Sequence, residues 1–92
     1  ENVTSIPDYA FDGCSSLTSI TIPDGVTRIS NISFRNCTGL TSFTCLATTP
    51  PSLGTNVFQN TNANLIIYVP AESLEAYKSS WTDYASRIQA IV

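Results

Sequence analysis

The sequence predicts an α/β repeat solenoid, a coil of short parallel strands closed by a C-terminal capping helix. Two observations predict it. Shifted by 23 residues, positions 3–23 fall on 26–46 with nine identities, far more than chance supplies. The last quarter of the chain then changes from strand-and-turn composition to helix formers.

The shift places Val3 on Val26, Thr4 on Thr27, Ile6 on Ile29, Phe11 on Phe34 and Cys14 on Cys37. It continues with Leu17 on Leu40, Thr18 on Thr41, Ser19 on Ser42 and Thr21 on Thr44. Ile20 meets Phe43 and Ile22 meets Cys45, two pairs suited to burial. Alternation of Ile20 and Ile22 with polar residues predicts a strand. Pro23-Asp24-Gly25 predicts the turn after it, because proline fixes φ and glycine accepts positive φ. Asp8 to Gly13 reads as one tight helical turn, with Asp8 as its cap and Gly13 as its stop. One such unit cannot cover its own apolar edge. Stacked units can, with strands roughly 4.8 Å apart.

A third copy is looser. One inserted residue sets Leu53 at the Ile29 position and Phe58 at the Phe34 position, with Thr61 where Cys37 stands. The coils therefore divide into a partial repeat at 1–16, a full one at 17–39, a degenerate one at 40–64 and a last strand at 65–69. Residues 70–92 form the cap. Within it Leu74, Tyr77 and Trp81 share one helix face, and Glu72, Glu75 and Lys78 complement the helix dipole. Ile88, Ala90 and Ile91-Val92 are expected to run back as an extended tail. The chain starts without Met and in mid-pattern, as an excised piece would. At this N-terminal end Val3, Ile6, Phe11 and Leu17 are expected near an uncovered face, each costing roughly 1.5–3 kcal/mol if wet. Further upstream coils or self-association through this N-terminal coil would relieve that cost.

The unit LTSITIPDGVTRISNISFRNCTG at 17–39 resembles the BspA-type leucine-rich repeat, and YVPAESLEAYKSSW at 68–81 resembles the usual end of such arrays. The likeness covers nearly the whole chain. It departs at Ala47-Thr48-Thr49-Pro50-Pro51, which replaces the standard turn. The resemblance implies a right-handed leucine-rich-repeat coil in a bacterial surface or secreted protein. It implies adhesion or host contact through a protein partner, and no enzymatic activity.

Composition narrows the function further. The chain carries seven acidic and four basic side chains, a net charge of −3, which disfavours nucleic acid. Ser, Thr and Asn make up about a third of it, a habit more common in secreted chains. No apolar run approaches the ~20 residues of a membrane span. With no histidine, Ser-His-Asp and Cys-His catalysis are excluded. Asp8, Asp12 and Asp24 fall at turns and caps, and no phosphate loop, calcium loop or other cofactor motif occurs.

Cys14 and Cys37 share one repeat position and Cys45 an inward strand site, where all three fit as buried free thiols. A Cys14–Cys37 bridge is the alternative, and three cysteines without histidine make a poor zinc set. Tyr68, Tyr77, Trp81 and Tyr84 read as cap packing, with a sugar-stacking platform as the competing reading. Sequons occur at Asn2, Asn31 and Asn36. Ser19, Thr21, Ser42, Thr44 and Tyr68, alternating with the core side chains, are the candidate partner-binding residues. A purely structural end to a longer array is the rival function.

Overall fold

The computed structural model describes residues 4–91. Val3 and Val92, and the Asn2 sequon, lie outside the described residues. Three coils stack so that each contributes a strand to each of two parallel ladders. The longer ladder runs β2 (Ser19–Ile22), β4 (Ser42–Cys45), β6 (Ile66–Val69) and β7 (Ile88–Ala90). The shorter runs β1 (Ser5–Ile6), β3 (Arg28–Ile29) and β5 (Ser52–Leu53). Register follows the repeat: Ile20 pairs with Phe43, Phe43 with Ile67, and Ile67 with Ile88. In the second ladder Ile6 pairs with Ile29 and Ile29 with Leu53, which absorbs the inserted residue of the third coil.

Between the ladders like side chains form buried columns. Phe11 stacks on Phe34 with centroids 5.1 Å apart and Phe34 on Phe58 at 5.8 Å, the rings nearly parallel. Phe43, inward from the strand, meets Phe34 and Phe58 edge-on at 5.1 and 4.9 Å. Offset and edge-to-face aromatic contacts of this kind add to the area they bury. The expected exposed N-terminal face is smaller than the sequence suggested. Ile6 is buried against the core, and Phe11 and Leu17 are half-covered, because their side chains point between the ladders rather than off the end.

The tight helical turn expected over Asp8–Gly13 is not there. A run of turns replaces it, with Tyr9 at φ +61° and Gly13 at φ +81°. Alternate N–H groups go to different partners. Ala10 and Asp12 close turns onto Pro7 and Tyr9, whereas Tyr9, Phe11 and Gly13 donate to the carbonyls of Asn31, Ser33 and Arg35 in the next coil. A helix would aim every N–H along its own axis and leave the coils unjoined. Asp8 likewise accepts from Asn31 N–H at 3.0 Å, bridging coils rather than capping its own turn.

Residues Ala71–Ser73 form a 3-10 turn that leads into α1 (Leu74–Ser80), and a second 3-10 segment spans Thr82–Arg87. Their side chains stand in for the backbone of a further coil. Thr27 carbonyl accepts from Ser52 N–H; one coil on, Pro51 carbonyl accepts from the Trp81 indole at 3.0 Å. Thr41 carbonyl accepts from Ile66 N–H; one coil on, Leu65 carbonyl accepts from Arg87 at 3.1 Å. The Tyr77 hydroxyl donates to Ala47 carbonyl, and Ser73 to Thr48 carbonyl at 2.6 Å. The expected tail is a true strand, β7, in register with β6.

Candidate interaction surface

The ladder sets the candidate residues in rows on the side away from the core. Ser19 pairs with Ser42 and Ser42 with Ile66, while Thr21 pairs with Thr44, Thr44 with Tyr68 and Tyr68 with Gln89. Ser19 and Thr21 are exposed; Ser42, Thr44 and Tyr68 are half-buried. All five thus lie on one continuous strip. Gln89 belongs to it and was missed, although Ile88-Gln89-Ala90 carries the apolar–polar–apolar alternation that announces a strand face.

A second cluster lies on the turns. Arg35 forks onto Asp12 through Nε and Nη2 at 3.0 and 2.8 Å, joining the first two coils. The Arg35 hydrogen bonds hold the Asp12 carboxyl below its ordinary range, the same bonds raise the guanidinium, and Tyr9 lies exposed with its ring centroid 5.9 Å from Arg35. Asp12 is thus an acceptor fixed in its ionised form. Neither Asp12 nor Arg35 stood out in the sequence beyond a turn position, because their pairing depends on coils 23 residues apart.

The cap aromatics form no platform. Tyr77 and Trp81 are 0% and 2% exposed and meet edge-on at 5.0 Å with planes at 83°. Sugar stacking requires open, aligned ring faces, so the carbohydrate reading is overturned. Desolvation also raises the Tyr77 phenol pKa, with the Cys45 thiol beside it acting the same way.

Asn31 and Asn36, the two described sequon residues, are tied between coils. Asn31 Oδ1 accepts from Thr55 N–H at 2.8 Å and Asn36 Oδ1 from Asn60 Nδ2 at 2.7 Å. All three cysteines are free. Cys37 and Cys45 are buried, but Cys14, expected inside, is exposed on the outer side of the first coil. Burial raises the pKa of both Cys37 and Cys45 and so suppresses their thiolates. Cys14 alone should therefore react with a disulfide reagent at pH 8 in the native chain, and all three in denaturant. Rapid native labelling of a second thiol would contradict this placement.

Coils that each give one short strand to two parallel ladders, around a shared aromatic and aliphatic core, define a leucine-rich-repeat protein. Residues 1–91 match the family model described as the BspA type leucine rich repeat region (6 copies), and the chain belongs to that family. No curated protein matches it. No helix among the described residues is long and apolar enough to cross a membrane.

Proposed function

We propose that the chain is a non-enzymatic, adhesion-type protein-binding module of a bacterial surface or secreted protein. In this reading the coil is right-handed, as parallel strand crossovers almost always are, and residues 70–92 cap it. The observation that carries the reading is the outward row Thr21, Thr44, Tyr68 and Gln89, hydroxyl and amide side chains in register across four strands. Absence of histidine from the sequence, and an Asp12 carboxylate fixed by Arg35, support a role without catalysis.

The strip is small. Four strands at ~4.8 Å spacing and four residues at ~3.3 Å rise cover roughly 250 Å², against about 800 Å² per partner in a stable interface. That favours a second reading, in which these coils end a longer array and supply only part of its face. Half-exposed Phe11, Leu17 and Ile20 on the first coil support contact with a further coil or a second copy there.

The test is surface plasmon resonance of the purified chain over immobilised extracellular-matrix and cell-surface proteins. A triple variant, Thr21→Glu, Thr44→Glu and Tyr68→Ala, serves as the comparison. Binding that the variant loses supports the strip. Binding that it keeps places the contact elsewhere, and no binding at all favours the structural reading.

A further inference from the structure

Each coil is joined to the next through the same five hydrogen bonds along its shorter strand and turns. Between the first and second coils, Ser30 N–H donates to Ile6 carbonyl and Asn31 N–H to the Asp8 side chain. In the other direction Tyr9, Phe11 and Gly13 N–H donate to the carbonyls of Asn31, Ser33 and Arg35 at 3.1, 2.7 and 2.8 Å. The second and third coils repeat the set. Gly54 N–H donates to Ile29 carbonyl and Thr55 N–H to the Asn31 side chain. Ile32, Phe34 and Asn36 N–H donate to Thr55, Val57 and Gln59 at 3.0, 3.0 and 2.9 Å.

The third coil presents the same groups once more: Leu53 carbonyl, the Thr55 side chain, and the N–H groups of Asn56, Phe58 and Asn60. Among the described residues the three N–H groups make no hydrogen bond, and Leu53 lies on β5, the unpaired edge of its ladder. The cap answers the carbonyls of Pro51, Leu65 and Val69 but leaves this stretch open. A groove of about 280 Å³ lies at its start, between Gly54, Thr55 and Asn56 on one wall and Thr82, Asp83 and Tyr84 on the other.

We propose that this open stretch is a binding site for a peptide segment that takes up the same run of turns as residues 31–36 and adds to the third coil as one more turn. The donors sit on alternate residues of a run of turns, and in the two earlier coils each equivalent donor meets a carbonyl of a different residue, a pattern one small anion does not reproduce. An acceptor, Leu53 carbonyl, lies beside them and would repel an anion. A peptide supplies both an N–H and carbonyls at every second residue, the pattern by which strand addition gives affinity. A whole coil of a second copy does not fit, because Trp81 and Tyr84 already cover Phe58, with centroids 6.5 and 5.0 Å away. The same geometry sets ligand preferences. Positive φ at Ile32 and Asn36, and again at Asn56 and Asn60, calls for glycine or asparagine at two positions four apart. Tyr84 leaves room only for a small residue opposite Phe58, and Asp83 favours a basic neighbour.

The test follows amide exchange by NMR in the full chain. The probe is a blocked eight-residue peptide copied from residues 29–36, carrying Ile32→Gly and Phe34→Ala, with a scrambled peptide as control. At nine-tenths saturation, exchange at Asn56, Phe58 and Asn60 should slow about tenfold. Thr82→Trp in the protein, which fills the groove from an exposed position, should abolish that protection with Tm unchanged. Absence of protection at these amides, or equal protection by the scrambled peptide, overturns the site. So does concentration-dependent protection without peptide, which would mean a second copy docks there. Protection confined to Thr44 and Tyr68 would also overturn it, while leaving the strand-face reading intact.

Discussion

Trp81→Ala should destabilise the chain by roughly 4–8 kcal/mol. Removing a fully buried Trp side chain costs about 3–5 kcal/mol in lost burial and residual cavity. Here the indole also donates to Pro51 carbonyl at 3.0 Å, and that acceptor would be left buried without a partner, a further cost of about 1–3 kcal/mol. Domains of this size have total stabilities of only about 5–14 kcal/mol, so the variant should sit near its own unfolding threshold. Trp81→Phe separates the two contributions. It keeps most of the contact with Tyr77 and Phe58 but orphans the carbonyl, and should cost about 1–3 kcal/mol. Far-UV circular dichroism in urea is the appropriate measurement, since Trp81 is the chain's one tryptophan and fluorescence would vanish with it. Equal losses for the two variants would mean that the hydrogen bond, not the packing, holds the end of the stack.

Much of this molecule can be read from one line of letters because a solenoid turns sequence period into spatial neighbourhood. Phe11, Phe34 and Phe58 align, and Ile20 pairs with Phe43, as the 23-residue shift predicts. The candidate strip was legible for the same reason, since alternation assigns a strand residue to one face or the other. Where the period does not reach, the letters alone mislead. The ladder of β1, β3 and β5 has two residues per strand, too few for alternation to register. Over Asp8–Gly13 the cap-like Asp8 and stop-like Gly13 suggest a helical turn, and Tyr9, an aromatic residue at positive φ, gives no warning of the turns that form instead. Cys14 shares its repeat position with Cys37 yet is exposed, because burial there depends on the coil on its outer side and not on its own residue type. The groups left open on the third coil are main-chain atoms, which no side-chain pattern can mark.

Gly54→Ala should cost about 3 kcal/mol, although it adds a single methyl group in a turn. A Cβ at Gly54 would lie 2.3 Å from Asn31 Oδ1, 2.6 Å from Asn31 N and 2.9 Å from Asn31 Cα. The side-chain oxygen could swing away, at the expense of its bond to Thr55 N–H, but the backbone atoms belong to the second coil and cannot. The coils must therefore separate, straining the Gly54 N–H bond to Ile29 carbonyl at 2.8 Å and the neighbouring intercoil bonds. Gly13→Ala is the contrast. A Cβ there meets nothing within 4 Å, so only the φ of +81° opposes it, worth about 1–2 kcal/mol. Urea unfolding of both variants should rank Gly54→Ala as clearly the worse. Adding Asn31→Ala to Gly54→Ala removes the nearest clashing atom but neither backbone atom, so a double-mutant cycle should recover less than about 1 kcal/mol. Full recovery would show that the coils are held apart by the asparagine side chain alone, and that their close backbone approach is not what fixes the stacking.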